Sequence, residues 1–468
     1  MNDFDIGVIG AGSAGLSLAA GAAQLGLKVA LFEAHEMGGD CLNHGCVPSK
    51  ALIAAAHAAH AVRTADRFGV TTPAGFTVDY ARVRAHVKAT IAAIAPHDSQ
   101  ERFEGLGVTV IRARAGFVGP RTVEAGGRRY AARKWAIATG SRAAIPPIPG
   151  LAELAPLTNE TVFELDRAPA HLAVIGGGPI GCELAQAHAR LGTRVTLLEA
   201  APGILLKEDP EAAAIVRAAL VRDGVNLREG VKIVRAEAPA TLVLEDGERI
   251  EASHILVAAG RKPNIGDLGL EAAGVAADGK GIRVDARLRS TNKDVLALGD
   301  CAGGLQFTHV AGWHAGIAIR NLCFKIPAKA DPRAIPRVTF TDPEIAHVGM
   351  TEAEAKAAGI DAKIARWSLR KNDRAQADGA TEGMAKIVAD PRGRVIGATL
   401  AAPRAGEMIG AWTIAVEKRL SLATMAGTVV AYPTMAEIGK RAAGSSFAGK
   451  LFAPRTKKLV RFLFRLPF

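Results

Sequence analysis

Apolar and small residues alternate in blocks at the start of the chain. Apolar residues run from Phe4 to Ile9, a glycine-rich turn follows from Gly10 to Gly15, and an Ala-rich run extends from Leu16 to Leu25. A second apolar run, residues 28–33, ends at an acidic residue, Glu33. This order predicts a strand, a tight turn, a helix and a second strand.

The turn has the sequence GAGSAG, in which each glycine has a separate role. Gly10 permits the tight turn, Gly12 lets a pyrophosphate approach the backbone, and Gly15 packs the helix against the strand. The N-terminus of the helix, with its partial positive charge, then faces the phosphates. Glu33 follows Gly10 by 23 positions, where a carboxylate accepts hydrogen bonds from a ribose hydroxyl. The block predicts a dinucleotide-binding unit.

The same pattern returns at residues 172–199, with the turn GGGPIG and a second acidic end, Glu199, again 23 positions after the first glycine, Gly176. An alternative is that such glycines only end a strand in some other α/β fold. That alternative could account for one copy of the pattern, but it accounts poorly for two copies in the same context. The carboxylate of Glu199 suits the 2′-hydroxyl of NAD and repels the 2′-phosphate of NADP. We therefore expect two nucleotide sites and a preference for NADH.

Two further segments resemble each other, WAIATGSR at residues 135–142 and ILVAAGRK at residues 255–262. Each is predicted to be the last strand leaving its nucleotide domain. A chain of 468 residues with 49% hydrophobic content is long enough for two to four domains. The pattern predicts an α/β protein built on a duplicated architecture.

The charge of the chain is strongly positive, +12 at pH 7 with a pI near 9.6. Lys and Arg are scattered, aromatic residues are few, and no nucleic-acid-binding motif occurs, so the charge favours solubility and attraction of anionic small molecules over a nucleic-acid function. There is no run of eighteen apolar residues, and no basic segment or cleavage site accompanies the apolar start. We expect a cytoplasmic protein.

Two of the five cysteines, Cys41 and Cys46, lie five positions apart in the segment GGDCLNHGCVPSK. In a reducing cytoplasm, five cysteines in so long a chain do not make a disulfide framework. A closely spaced pair there is either catalytic or metal-binding.

Several motifs occur together with this cysteine segment: the two glycine turns, Ala138-Thr139-Gly140, LALGD at residues 296–300 and VTFTDPE at residues 338–344. In this combination the chain resembles the flavin-dependent pyridine nucleotide-disulfide oxidoreductases. That family includes dihydrolipoamide dehydrogenase, glutathione reductase and mercuric reductase, and the resemblance covers nearly the whole chain.

The resemblance implies an FAD-binding domain at residues 1–150, an NAD(H)-binding domain at 151–275, a central domain at 276–340 that completes the FAD site, and an α+β dimerisation domain at 341–468. The two nucleotide domains would be Rossmann-like, and the protein would be a homodimer. The residues implied to contact FAD are Gly10, Gly12, Ser13, Ala14, Gly15, Glu33, Lys50, Thr139, Gly140 and Asp300. Those implied to contact NAD(H) are Gly176, Gly178, Gly181, Glu199 and Gly260.

The resemblance also implies that Cys41 and Cys46 form a redox-active disulfide. In an ideal helix five positions correspond to about 140° of rotation, which separates the sulfurs, but Gly45 and the turn-prone Asn43 allow the distortion that a disulfide needs. Cys46 would be nearest the flavin, at the start of an Ala-rich helix whose dipole favours a thiolate. Cys41 would be the outer thiol that meets the substrate.

In the family, the lysine of the PSK motif lies beside the reactive flavin nitrogen and pairs with a glutamate, here Lys50 and Glu183. A cation there stabilises negative charge on the reduced flavin. A structural metal site is not expected, because a closed zinc centre needs four ligands and only His44 is close in sequence. Electrons would pass from NADH through the flavin to the disulfide and on to an acceptor.

One departure from the family pattern bears on the acceptor. Dihydrolipoamide dehydrogenase and glutathione reductase have a His-Pro-Thr segment whose histidine reaches the partner subunit's site, oriented by a glutamate. This chain has Tyr432-Pro433-Thr434, with Glu437 following. A phenol with an ordinary pKa near 10 is a poor base at neutral pH, whereas an imidazole near 6.5 is a suitable one.

Mercuric reductase also has tyrosine at this position, and a soft metal ion needs thiolate ligands more than proton shuttling. The soluble transhydrogenase shares the YPTMAE run but lacks the second cysteine, whereas this sequence keeps Cys46 and lacks the C-terminal cysteine pair of mercuric reductase. We therefore predict a mercuric-reductase-like enzyme that reduces a soft metal ion or a disulfide. The alternative within the family is a dihydrolipoamide dehydrogenase with Glu437 and another group replacing the base.

The segment 455–468 has no acidic residue, and Lys457, Arg461 and Arg465 recur at helical spacing. As a helix it would be basic and amphipathic. Such a helix either lies weakly on an anionic membrane surface or packs on the dimer. The first possibility is compatible with a third function, a peripheral membrane protein that passes electrons from NADH to a quinone.

Overall fold

The computed structural model describes residues 3–72 and 75–467, which form two compact units. The first unit comprises the described residues up to 202 together with 224–331, and the second comprises 203–223 and 332–467. Within the described ranges, no helix is both long enough and apolar enough to cross a membrane.

The first unit begins with a mainly parallel sheet. Its parallel strands lie in the order β3-β2-β1-β6-β18, and β4 and β5 continue it as an antiparallel meander from the first half of β6. The elements up to residue 143 are β1 Phe4–Ile9, α1 Ser13–Gln24, β2 Val29–Phe32, α2 Gly39–Asn43, α3 Cys46–Arg63, α4 Tyr80–Ile94, α5 Gln100–Gly105, β3 Val108–Ile111, β4 Ala115–Gly119, β5 Thr122–Ala125, β6 Arg128–Ile137 and β7 Ser141–Ala143.

A second parallel sheet follows in the order β10-β9-β8-β14, beside a three-stranded antiparallel sheet β11-β12-β13. The short pairs β7-β15 and β16-β17 are antiparallel. The elements of this stretch are β8 His171–Ile175, α6 Pro179–Arg190, β9 Arg194–Glu199, α7 Pro210–Arg222, β10 Asn226–Glu229, β11 Ile233–Glu237, β12 Thr241–Leu244, β13 Arg249–Glu251, β14 His254–Val257, β15 Arg261–Pro263, β16 Ala277–Asp278, β17 Gly281–Ile282, β18 Val295–Ala297 and α8 Thr308–Leu322.

The second unit is built on a five-stranded antiparallel sheet in the order β19-β20-β23-β22-β21. Helix α7 belongs to this unit and packs on β20 and β23. Its other elements are β19 Arg337–Thr339, β20 Glu344–Gly349, α9 Glu352–Ala357, β21 Lys363–Ser368, α10 Asp373–Ala377, β22 Met384–Ala389, β23 Val395–Ala402, α11 Ala405–Glu417, α12 Leu422–Gly427, α13 Glu437–Ser445, α14 Ala448–Leu451 and α15 Pro454–Leu463.

The two glycine turns have the same geometry. Gly10 and Gly176 have φ angles of +105° and +111°, which an L side chain rarely adopts. A Cβ on Gly15 would lie 1.8 Å from the Gly10 carbonyl oxygen, and one on Gly181 would lie 1.9 Å from that of Gly176. Glycine is therefore required at both the turn and the first helical turn of each copy.

The predicted α/β class with duplicated nucleotide domains and an α+β third domain is confirmed. One strand pairing was not predicted from the sequence. Val295–Ala297 of β18 pair with Trp135–Ile137 on the side of β6 opposite β1. A strand from far along the chain adds to this sheet because the backbone edge of β6 is otherwise unpaired there.

A buried ion pair fixes the start of α7 to the sheet of the second unit. The Lys386 ammonium on β22 contacts the Asp209 carboxylate at 2.7 Å, and the two side chains are 2% and 1% exposed. Glu211 approaches the same ammonium at 2.5 Å. Asp209 also accepts a hydrogen bond from the Glu211 backbone N–H and caps α7. A single carboxylate therefore serves both the helix cap and the ion pair.

Replacing Lys386 by Met should destabilise the second unit, because it leaves the Asp209 carboxylate buried without its cation. A broken pair of this kind costs about 3–5 kcal/mol. The measurement is the denaturant midpoint of unfolding of the holoenzyme. The matched control is Lys418→Met, whose side chain is 64% exposed in its pair with Glu417; equal midpoints for the two variants would contradict the prediction.

Candidate active site

The two cysteines of the GGDCLNHGCVPSK segment lie on consecutive helices. Cys41 is in α2, the chain breaks its helical course at His44 and Gly45, and Cys46 is the first residue of α3. Both are free thiols, the dithiol form of the pair. A Cβ on Gly45 would lie 3.0 Å from the Asp40 carbonyl oxygen. The break favours a residue without a side chain, because a Cβ there would make tight contacts with the preceding helix.

Cys46 is placed to carry the thiolate of the pair. The Cys41 thiol hydrogen-bonds to its sulfur, the Thr308 hydroxyl lies 3.2 Å away, and the Lys50 ammonium adds positive charge. Together these lower the pKa of Cys46 to about 6, against an opposing effect of desolvation. The same hydrogen bond to Cys46 and burial raise the pKa of Cys41. At neutral pH Cys41 therefore keeps its proton as a thiol, and Cys46 is a thiolate.

Lys50 lies one helical turn after Cys46 on α3. Its ammonium donates to the Glu183 carboxylate on α6 at 2.7 Å, and Glu183 is buried. Spacing of four residues puts Lys50 and Cys46 on the same face of α3. The ion pair thus joins two helices that are 133 residues apart in sequence and holds a positive charge near the thiolate.

A polar chain that the sequence did not predict runs from the cysteine segment towards Asp300. Asp40 accepts hydrogen bonds from Asn159 at 2.8 Å and from Arg261 at 3.0 Å. Arg261 also donates to the Ser141 hydroxyl at 2.8 Å, and that hydroxyl donates to the Asp300 carboxylate at 2.5 Å. The position of Arg261 directly after Gly260 in the AAGRK segment was the available signal, but nothing in the sequence paired it with Asp40.

Burial raises the pKa of Asp300, and the hydrogen bond from Ser141 opposes that rise. The carboxylate follows β18 directly, at the carboxyl edge of the first sheet. Ligands of doubly wound sheets bind at this edge. The implied FAD contact of Asp300 stays a prediction, and its surroundings suit a group that offers hydroxyl donors.

The two glycine turns and their acidic partners form matching cradles. The Glu33 carboxylate accepts the backbone N–H of Ala11 at 2.7 Å, and the Glu199 carboxylate accepts that of Gly177 at 2.6 Å. Each carboxylate therefore lies against its own phosphate turn, where a ribose would meet it. Ser13 and Ala14 open α1, and a Cβ on Gly178, the N-cap residue of α6, would meet no atom within 4 Å. These residues fit two dinucleotides.

The strand ends after each cradle also match. Thr139 donates through its hydroxyl to the Asn264 carbonyl at 2.6 Å and accepts from the Asn264 amide at 3.0 Å through its own carbonyl. Gly140 and Gly260 have φ angles of +68° and +122°, and a Cβ on either would meet no atom within 4 Å. Backbone at both positions is open to a closely approaching ligand.

Tyr432 and Glu437 lie in the second unit. The Tyr432 side chain is 66% exposed, and its hydroxyl donates to the Asp373 carboxylate at 2.9 Å. This bond raises the pKa of the phenol. Glu437 is buried and accepts from Arg441 at 3.4 Å. The carboxylate bonded to the tyrosine is thus Asp373, 59 residues earlier, a pairing for which the sequence had no signal.

The histidines near the first unit's site have structural partners. His314 on α8 is buried and accepts the Gly299 backbone N–H at its Nδ1, 3.1 Å away. Burial lowers the pKa of His314 to about 4, so its ring is neutral. The ring of His309 stacks on Phe307 at 5.2 Å.

Comparison with known proteins decides the family. The sequence model for pyridine nucleotide-disulphide oxidoreductases matches residues 4–315, and that for the dimerisation domain of the same family matches residues 335–443. The chain belongs to the pyridine nucleotide-disulphide oxidoreductase family. This pyridine nucleotide-disulphide oxidoreductase is an enzyme of the FAD-dependent class that uses FAD and NAD(H), and its dimerisation domain supports a homodimer.

Relatives of this oxidoreductase include enzymes of two kinds. It is 37% identical to a mercuric reductase from Bacillus cereus over 93% of this chain and 70% of that protein. It is also 37% identical to a dihydrolipoyl dehydrogenase from Thermus scotoductus, over 93% and 96% of the two chains. The Cu(II) complex of the HOCl-induced flavoprotein disulfide reductase RclA from Escherichia coli superimposes with a TM-score of 0.85 at 27% identity, over 95% of this chain and all of that one.

Replacing Thr308 by Val should raise the pKa of Cys46 by about one unit, because one hydrogen bond to the thiolate is lost. The measurement is the pH dependence of iodoacetamide alkylation of the reduced holoenzyme, with each cysteine followed by mass spectrometry. The wild-type midpoint for Cys46 should lie near 6 and its alkylation should increase with pH through that value.

Two controls accompany this experiment. Cys323, whose pKa burial raises, reports in the same digest and should alkylate only at higher pH. Thr90→Val removes a half-buried threonine whose hydroxyl donates to the His86 carbonyl within its own helix. A Cys46 midpoint that is identical in Thr308→Val, Thr90→Val and the wild type would refute the contribution of Thr308.

Proposed function

We propose that this enzyme oxidises NADH and uses the Cys41–Cys46 pair to reduce a soft metal ion or a disulfide. The observation that carries the proposal is the Cys46 thiolate, held by Cys41, Thr308 and Lys50 at the first turn of α3. Bound FAD supplies the relay of two electrons between the nicotinamide and the cysteine pair. We assign FAD to residues 1–150 and 276–340 and NAD(H) to residues 151–275. The dimerisation domain is 341–468, and we place the dimer contacts in its part up to residue 443, where the match to the family's dimerisation domain ends.

The protein's own groups have distinct proposed tasks. Lys50, held by Glu183, supplies positive charge next to the reacting centre, and Thr308 donates a hydrogen bond that keeps Cys46 ionised. Asp40 anchors the segment that carries Cys41 through Asn159 and Arg261. Cys41, the partly buried thiol of the pair, meets the acceptor.

A soft metal ion is the acceptor that this arrangement favours. Hg(II) that arrives bound to small thiols exchanges them for Cys46 and Cys41, and the Cys41 proton leaves with a displaced small thiolate. Transfer of two electrons from the two sulfurs to the metal then yields Hg(0) while the sulfurs join as a disulfide. No group has to take a proton from an incoming substrate thiol. Tyr432 is in keeping with that chemistry, because its phenol is hydrogen-bonded to Asp373 and its raised pKa keeps it protonated. The similarity to a mercuric reductase and to the RclA Cu(II) complex supports the same choice.

Oxidation of dihydrolipoamide is the second candidate, supported by the likeness to the dihydrolipoyl dehydrogenase from Thermus scotoductus. That reaction needs a base for the substrate thiols. Glu437, the remaining acidic residue of the YPTMAE run, is buried and bonded to Arg441, so we expect this reaction to be slow.

The decisive assay is anaerobic NADH oxidation by the purified holoenzyme, with either Hg(II) plus excess small thiol or lipoamide as the only acceptor. We expect turnover with Hg(II) to exceed turnover with lipoamide by at least about tenfold, the difference that a missing general base makes. Cys41→Ser should abolish Hg(II) reduction, with Cys323→Ser as the control that keeps it. Faster turnover with lipoamide than with Hg(II) would make the enzyme a lipoamide dehydrogenase.

Glu199 should set the choice between NADH and NADPH. Its carboxylate repels the 2′-phosphate of NADPH, so Glu199→Ser should narrow the ratio of kcat/KM for NADH over NADPH by about tenfold or more. The matched control is Glu229→Ser on β10, the neighbouring strand of the same sheet, which should leave the ratio unchanged. An equal preference for both nucleotides in the unaltered enzyme would contradict the assignment.

A further inference from the structure

The last helix of the described chain presents large apolar side chains to solvent. Along residues 454–467 these are all at least 51% exposed: Leu459, Val460, Phe462, Leu463, Phe464 and Leu466. Isolated exposed hydrophobic residues are ordinary, but six within eight positions make a contiguous patch that marks an interaction surface. We call residues 454–467 the basic helix segment.

The charge of the same segment is entirely positive. Residues 438–467 contain eight Lys and Arg residues and no Asp or Glu. The basic residues of the segment itself are Arg455, Lys457, Lys458, Arg461 and Arg465, all exposed.

The spacing separates the two kinds of side chain around the helix axis. Lys457 and Arg461 are one turn apart on one side, and Leu459 and Leu463 are one turn apart on another. Val460 and Phe464 extend the apolar side, and Arg465 continues the basic row beyond the last helical residue. A helix with an apolar face beside a face of Lys and Arg has the form of an interfacial membrane helix.

We propose that the basic helix segment binds the surface of an anionic lipid bilayer. The apolar side chains enter the boundary between head groups and acyl chains, and the five cations lie among lipid phosphates. Burial of apolar area and attraction to anionic lipids both contribute to such binding. The surface is independent of the nucleotide and cysteine residues, so the inference does not depend on the acceptor proposed above.

Two observations favour a membrane over a second copy of this chain as the partner of the basic helix segment: the net charge of the chain and the end of the matched dimerisation domain. The chain carries a net charge of +12, so a second copy offers an all-basic segment no overall attraction. The match to the family's dimerisation domain ends at residue 443, before the segment begins. Nucleic acid would meet the five cations but would leave the apolar side without a partner.

The experiment is flotation of the full-length holoenzyme with two kinds of vesicle, phosphatidylcholine alone and phosphatidylcholine with about one third phosphatidylglycerol. We expect the partition coefficient to be at least about tenfold higher on the anionic vesicles and to fall steeply at about 1 M salt, where exposed charges are screened. The apolar variant Leu459→Gln/Leu463→Gln should lose binding to both kinds of vesicle. The charge variant Lys457→Gln/Arg461→Gln should bind both kinds equally weakly.

The control variant Arg128→Gln/Arg129→Gln removes two exposed cations elsewhere and should bind as the unaltered enzyme does. NADH oxidation in solution and the sedimentation coefficient are measured for every variant. Unchanged values with lost flotation support the proposal. If the apolar variant becomes a monomer, the segment belongs to the interface with a second copy. If the full-length enzyme does not float with vesicles, or floats equally with both kinds, binding to an anionic membrane is refuted.

Discussion

The stabilisation of one negative charge, on the sulfur of Cys46, organises the centre of the first unit. A thiolate that loses part of its hydration is costly unless hydrogen-bond donors and cations compensate its charge. Here the compensation comes from three groups: the Cys41 thiol, the hydroxyl of Thr308, which is 262 residues away on α8, and the ammonium of Lys50, which is on α3 together with Cys46. Each donor lies on a different part of the fold, so the sulfur's reactivity depends on how three helices pack.

The fixed geometry around that sulfur requires support from buried polar groups. Lys50 is held by Glu183, and the segment carrying Cys41 is held through Asp40 by Asn159 and Arg261. Such networks are rigid when every member is bonded and costly when one is left alone. The chain from Asp40 through Arg261 and Ser141 to Asp300 also connects the cysteine segment with the edge of the first sheet, where flavin is proposed to bind. The cysteine segment and the proposed flavin site are thereby joined by one chain of hydrogen bonds.

The need for a general base distinguishes the two proposed acceptors, a soft metal ion and a disulfide substrate, better than the fold does. Mercuric reductases and dihydrolipoyl dehydrogenases are both similar to this chain at about the same identity, 37%, so overall similarity does not choose between them. The hydrogen bond from Tyr432 to Asp373 bears on the choice, because an anionic partner makes a phenol a still weaker acid and removes it as a base near neutral pH. Metal reduction by thiolates has no need of such a base.

The duplicated α/β architecture and most of the candidate residues were predictable from the sequence, because their signals are local. The strand–turn–helix spacing around Gly10 and Gly176 and the distance to Glu33 and Glu199 are fixed by backbone geometry within about thirty residues. The cysteine pair and the tyrosine of the YPT segment were likewise identified from short sequence motifs. Domain boundaries and site roles taken from the family resemblance stay predictions.

The long-range pairings, in contrast, are established only in the folded protein. Nothing local links Thr308 to Cys46, Arg261 to Asp40 or Asp373 to Tyr432, which are 262, 221 and 59 residues apart. The pairing of β18 with β6, which are more than 150 residues apart, likewise had no signal in the sequence. These contacts arise because side chains with unsatisfied charge or hydrogen-bonding groups are brought together only when whole elements pack, and the packing is a property of the complete fold.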